Sequence, residues 1–136
     1  MTVPLDLAKL LRETKTIAVV GLSSDSSRPS HRVASYLQEQ GYRIVPVNPN
    51  CREVLGEKAF PSLLQIPKET RIDLVNVFRR PDAVVPIVEE AIQIGARGVW
   101  MQEGVIHSVA AQMAERAGLW VVMDRCLMIE HSHYVS

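Results

Sequence analysis

Cysteine is scarce in this chain of 136 residues: Cys51 and Cys126 stand far apart and form no C-x-x-C pair. That spacing removes a zinc knuckle and a redox dithiol from consideration, and reduced thiols are the default reading. An excess of either charge is also missing, because fifteen Lys and Arg offset fifteen Asp and Glu. No global field therefore advertises nucleic acid or an anionic membrane surface as a partner, and any anion must be held by local geometry. No apolar run approaches the roughly 20 residues of a membrane-spanning helix, and Met1 to Lys15 lacks a basic stretch followed by an apolar one. A cytoplasmic protein is expected. The length suits one compact domain, 1–136, and is too short for a nucleotide domain plus a separate substrate domain.

Short β-branched runs alternate with segments of helical period. Thr16 to Gly21, Arg43 to Asn48, Ile72 to Phe78, Gly98 to Met101 and Leu119 to Met123 read as strands. Their near-continuous apolar character suits a mostly parallel five-stranded sheet covered on both faces, an α/β domain. Pro29 to Gln40 predicts a helix that stops at Gly41, with Val33, Ala34 and Leu37 on one face. Asp82 to Ile94 predicts another, its regular part starting near Pro86, and Ser108 to Ala117 a third. An N-terminal helix uses Leu7, Leu10 and Leu11, and a short one lies around Ser62 to Gln65. Right-handed crossovers give the expected strand order 3-2-1-4-5, with a flavodoxin-like 2-1-3-4-5 as the rival. In either order the ligand crevice lies beyond the carboxyl ends of the strands, where the winding reverses.

That rule directs attention to Gly21 to Arg28, Asn48 to Arg52, Phe78 to Arg80 and Gln102 to Gly104. In the stretch GLSSDSSRPSH, small polar residues precede a helix N-terminus, whose free amides favour an anion. Ser23, Ser24, Ser26 and Ser27 add hydroxyl donors, and Arg28 adds a fixed cation. The dinucleotide fingerprint fails at two points. Ser23 stands where the second glycine belongs, and the second strand ends in Val47-Asn48-Pro49-Asn50 with no carboxylate until Glu53. A P-loop lysine is also missing. Phe78-Arg79-Arg80 combines an aromatic ring with two guanidinium groups, which suits an adenine with a nearby ribose phosphate. Gln102 offers a neutral amide to a ligand's polar tail.

Three long strings, RPSHRVASYLQEQGYRIVPVNP, VNVFRRPDAVVPIVEEAIQIGARGVWMQEGVI and AGLWVVMDRCLMIEH, carry a further signal. On them the chain resembles the stand-alone CoA-binding domain proteins, which are similar to the CoA-binding domain of the succinyl-CoA synthetase alpha subunit. The resemblance implies a Rossmann-like three-layer α/β/α fold that binds coenzyme A with its ADP part across the strand ends. It further implies that Gly21, Ser23, Ser24 and Ser26 line a phosphate loop, with Arg28 and Ser30 at the helix start. Val47, Asn48 and Pro49 would flank the nucleotide, Phe78 and Arg79 would meet adenine or ribose phosphate, and Gln102 would lie near the pantetheine. Asn50 stands where relatives commonly carry lysine, so Arg52 or Arg79 is expected to replace that phosphate contact.

The histidines do not assemble a catalytic centre. His31 and His107 read as surface, capping or structural groups, and the tail EHSHY has too few ligands for a metal. Cys126 lies in a string shared with the family, where a thiol near the CoA thiol allows a mixed disulfide, although an inert, partly buried cysteine is the simpler reading. Glu103 and His107 have neither nucleophile nor metal beside them, so no catalysis is assigned. The reading is a module that binds coenzyme A or an acyl-CoA. The alternative is a small NADP-linked reductase. A third role, as a ligand-sensing partner of another protein, would call for exposed tryptophans, and Trp100 and Trp120 read as core.

Overall fold

The computed structural model describes residues 6–135. Five parallel strands form one sheet: β1 (Thr16–Val20), β2 (Arg43–Val47), β3 (Leu74–Val77), β4 (Gly98–Met101) and β5 (Trp120–Val122). Helices α1 (Leu7–Glu13), α2 (Pro29–Glu39), α3 (Val84–Gln93), α4 (Ser108–Arg116) and α5 (Leu127–Tyr134) enclose it. Alternation along each strand sorts the core into two layers. Val75, Val77, Val99 and Met101 meet Val84, Val88, Ala110 and Ala114 of α3 and α4. Ile17, Val19, Leu74 and Trp100 meet Leu11, Val33, Leu37 and Leu127 of α1, α2 and α5 on the opposite face. This is the expected Rossmann-like α/β/α arrangement, and no described helix is long and apolar enough to cross a membrane.

The strand order is 2-1-3-4-5, so β3 pairs with β1 and not with β2. This corrects the expected 3-2-1-4-5 in favour of the rival order, and the reason lies at the outer edge of β2. Phe60 donates its amide to Pro46 O at 3.0 Å, and its own carbonyl accepts from Asn48 N at 2.9 Å. The returning chain thus occupies the edge that β3 would have needed. Pro46 lacks an amide hydrogen, and an edge position leaves no ladder bond unmade.

Most helix boundaries match expectation within a residue or two. Pro86 sits in the first turn of α3, where its missing N–H has no intrahelical acceptor to lose, and a single 3-10 turn over Pro81–Ala83 leads into that helix. Two elements were not anticipated: a two-residue antiparallel pair, Glu53–Val54 with Glu57–Lys58, and α5 itself.

Helix α5 is pinned by few side chains. Leu127 is buried, and buried His131 shares a 2.8 Å hydrogen bond between its Nδ1 and the Tyr36 hydroxyl. The edges of Tyr36 and Tyr42 meet the imidazole, each with its ring centroid 5.4 Å away. Tyr42 donates to Leu11 O at 2.6 Å, and burial pushes its hydroxyl pKa up to about 12. Burial also holds the His131 pKa below 6.5. An unfolded chain takes up this proton first as pH falls below 6.5, so the folded state loses stability in that window. A thermal-melt series across that window should show a shallower decline for His131→Asn than for the parent. Equal slopes would assign the pH dependence to other groups.

Candidate functional site

The switch point falls between β1 and β3, which lead to helices on opposite faces of the sheet, and an open cleft of about 730 Å3 lies at their carboxyl ends. Its geometry begins at Gly21. There the backbone has φ +88°, and a Cβ would stand 2.3 Å from the Phe78 carbonyl oxygen. Only glycine lets the β1 and β3 ends approach so closely.

Beyond Gly21 the loop is shaped by its own side chains. Ser23 N donates to Ser30 Oγ at 3.0 Å, which ties the loop to the first turn of α2. Asp25 N donates to Ser23 Oγ at 3.0 Å. The Asp25 carboxylate accepts from the Ser27 amide at 2.9 Å and the Ser27 hydroxyl at 2.7 Å. Those bonds, the amide's foremost, hold the Asp25 pKa below its usual value. The acid is thereby occupied with the loop's turn. Arg28 precedes α2, Pro29 opens the helix without an amide hydrogen, and no side chain caps it; the His31 amide donates to Arg28 O at 3.1 Å, and the positive end of the helix dipole faces the loop.

Four guanidinium residues line the cleft: Arg28, Arg32, Arg79 and Arg80. Arg80 lies 3.8 Å from Asp82, with both side chains largely exposed, and Glu103 is the one carboxylate residue in the lining. This concentration of positive charge in a chain of zero net charge favours a ligand with several negative charges. Phe78 and Val33 add apolar surface. A second hollow of about 530 Å3 opens by Thr16 and Arg43, at the opposite end of the sheet, and contains none of the expected site residues.

Gly21, Ser23, Arg28, Ser30, Phe78, Arg79 and Gln102 are brought together in the cleft wall. Ser24 and Ser26 are exposed on the loop outside that lining. Val47 is buried in the core, while Asn48 binds Leu22 O through Nδ2 at 3.0 Å and accepts from Asn50 N at 3.0 Å. Asn48 therefore braces the β1 loop from behind, and Pro49 is exposed beside it. Of the two arginines expected to replace the lysine, Arg79 lines the cleft and Arg52 does not.

Several lining residues were not anticipated. Arg32 comes from α2, and Met128 and Ile129 come with α5. Cys126 was considered and is found in the wall, with 8% of its surface exposed. Gln102 is buried and uses its Oε1 to accept from Leu127 N at 2.9 Å, so it anchors the start of α5 against β4. His107 caps α4 by accepting from Ala110 N at 3.1 Å, as its structural reading required. Trp100 is fully buried and donates to Arg125 O at 2.8 Å, and Trp120 packs edge-on against it.

Asn76 is an unexplained polar group of the core, outside the cleft lining. It is wholly buried in β3, and neither its Oδ1 nor its Nδ2 has a hydrogen-bond partner among the described residues. A buried amide in that state costs about 1–3 kcal/mol. Asn76→Val should therefore raise the urea unfolding midpoint, by an amount equivalent to roughly 1–2 kcal/mol. A lower midpoint would mean that the amide is satisfied in solution.

Fold and cleft together define a Rossmann-like α/β domain with a cation-walled cleft at its switch point. Residues 15–132 match the family described as CoA binding domain, and the chain belongs to that family. It is 41% identical to the uncharacterized protein YneT of Bacillus subtilis over 127 residues, which cover 93% of each chain. It is 34% identical over 87 residues to acetate–CoA ligase (ADP-forming) II of Archaeoglobus fulgidus, a match that spans 62% of this chain and 12% of the ligase. Among solved structures, protein ID.343 from Thermus thermophilus superposes with a TM-score of 0.90 at 42% identity, covering 95% of this chain and 96% of that one. A hypothetical protein from Pyrococcus horikoshii OT3 gives 0.91 at 39% identity, covering 98% and 97%.

Proposed function

We infer that this protein is a single-domain binding module for coenzyme A or an acyl-CoA, with no catalysis assigned. The observation that carries the reading is the cleft wall, where four arginine side chains and the N-terminus of α2, uncapped by any side chain, gather at the switch point of a CoA-binding-family fold. The pyrophosphate sits against Ser23, Ser30, Arg28 and the first turn of α2, with Ser24 and Ser26 closing over it from the loop. Phe78 and Arg79 take adenine and the ribose phosphate, Val47, Asn48 and Pro49 flank the nucleotide by holding the β1 loop, and Gln102 borders the pantetheine arm. The cytoplasm is its expected compartment.

A reductase has little to recommend it. The end of β2 offers Asn48 and Pro49 in place of the carboxylate that grips a ribose, and Ser23 replaces the glycine that admits a dinucleotide. Calorimetric titration with CoA, acetyl-CoA, NADPH and FMN tests the choice. Saturable heat with CoA or acetyl-CoA and none with NADPH is expected, whereas tight NADPH binding without CoA binding overturns the proposal.

A further inference from the structure

We propose that Gln102 is a specificity-determining residue that donates its side-chain NH2 group to a carbonyl oxygen on the thiol-bearing arm of CoA or an acyl-CoA, so that the cleft selects by the arm as well as by the nucleotide; this rests on the CoA-binding reading above. Gln102 lies in the cleft wall with 5% of its surface exposed. Its amide is half engaged. Oε1 accepts from Leu127 N at 2.9 Å, whereas Nε2 donates to no described residue. The Asn76 amide is sealed in the core, and the Gln102 Nε2 is not enclosed in that way. A largely buried side chain thus turns one unsatisfied donor toward the cleft.

The direction of that amide is fixed by its partner. A backbone N–H bonds only to an acceptor, so Leu127 N selects Oε1 and leaves the NH2 group for the cleft. The main chain of Gln102 is held as well: its N donates to Val77 O at 3.3 Å, and its O accepts from Val105 N at 2.9 Å. Gln102 is therefore a prepositioned donor, and it calls for a ligand atom that accepts.

Position selects which part of the ligand supplies that atom. Val77 and Met101 are paired in register, so Phe78 and Gln102 leave the ends of neighbouring strands, about 4.8 Å apart. Across the sheet the order is Gly21 after β1, Phe78 after β3 and Gln102 after β4. An arm leaving a pyrophosphate at the start of α2 crosses the end of β3 to reach Gln102. The arginines of the lining come from α2 and the end of β3, and none comes from the chain beyond β4. Phosphates are served there, and the neutral donor suits a neutral carbonyl. The pantetheine arm offers amide carbonyls, and an acyl-CoA adds that of its thioester.

Gln102→Glu separates the two halves of the amide, because it keeps an acceptor for Leu127 N and removes the donor. Calorimetry should compare the parent and this variant with CoA, acetyl-CoA and adenosine 3′,5′-bisphosphate, which lacks the arm and carries the same formal phosphate charge. The parent is expected to bind acetyl-CoA at least about tenfold more tightly than the bisphosphate, and the variant to lose most of that advantage. If CoA loses as much, the acceptor is a pantetheine amide; if acetyl-CoA alone loses, it is the thioester. A buried carboxylate can unfold the variant, so the parent supplies a second readout. The side-chain NH2 signals of Gln102 in nitrogen-labelled parent protein should shift with acetyl-CoA and stay in place with the bisphosphate. An unchanged ratio in the folded variant, or NH2 signals unmoved by bound acetyl-CoA, overturns this inference and leaves the binding module standing. No binding of CoA or acetyl-CoA to the parent overturns the functional reading and the inference with it.

Discussion

Gly21→Ala is expected to lower stability by roughly 2–4 kcal/mol, combining a left-handed backbone penalty of about 1–2 kcal/mol with overpacking of similar size. The residue has φ +88°, and its missing Cβ would meet the Phe78 carbonyl oxygen at 2.3 Å, the Phe78 carbonyl carbon at 3.1 Å and Arg79 Nε at 3.4 Å. Two of those three atoms are backbone, so rotation of a side chain gives no relief. The ends of β1 and β3 must part, which moves Arg79 away from the loop that begins at Gly21. Loss of CoA affinity should therefore accompany the fall in the urea midpoint, and should remain when binding is measured under conditions where the variant is fully folded. A variant with the parent's midpoint would show that the two strand ends yield easily.

The second large effect is expected from Arg79→Ala, which should weaken CoA binding by about tenfold to a hundredfold, the range for losing a charge-assisted hydrogen bond. Arg79 is half-buried in the cleft wall, whereas Arg52 is exposed and outside it. Titrations with CoA and dephospho-CoA separate the two arginines. If Arg79 takes the role of the lysine absent at Asn50, its removal should erase most of the preference for the 3′-phosphate, and Arg52→Ala should leave that preference intact. An unchanged preference in Arg79→Ala would place the 3′-phosphate elsewhere in the cleft.

The signals legible in the sequence were those written in local chemistry. Runs such as Ile17-Ala18-Val19-Val20 identify buried parallel strands because both faces are covered, and Gly41, Gly95 and Gly118 mark where helices end. The loop before α2 and Phe78-Arg79 were legible as strand-end segments. Only the order 2-1-3-4-5 puts the switch point between β1 and β3 and so brings them side by side, whereas 3-2-1-4-5 would have set β2 between them. Strand order was not read correctly, although Pro46 carried the clue: a residue with no amide hydrogen belongs on an edge strand, and 3-2-1-4-5 would have made β2 central. Helix α5 escaped because its buried stripe is only Leu127 and His131, too narrow for a periodic signal. With α5 went Met128 and Ile129 as cleft residues and the anchoring bond from Gln102. Asn76 was hidden differently, since an asparagine within Leu74-Val75-Asn76-Val77 reads as one polar position in a strand and gives no hint that its amide lacks a partner.

The segment at Phe60 that diverts β3 also governs how the sheet meets other chains. By bonding to Pro46 and Asn48, it takes up backbone groups that an intruding strand would need at β2. Templated growth of the sheet is thereby blocked on that side, and the outer margin of β5, three residues long, is the remaining strand edge. A margin so short gives little purchase for edge-to-edge aggregation, so a protein built this way can expose its cleft at high concentration without its strands recruiting one another.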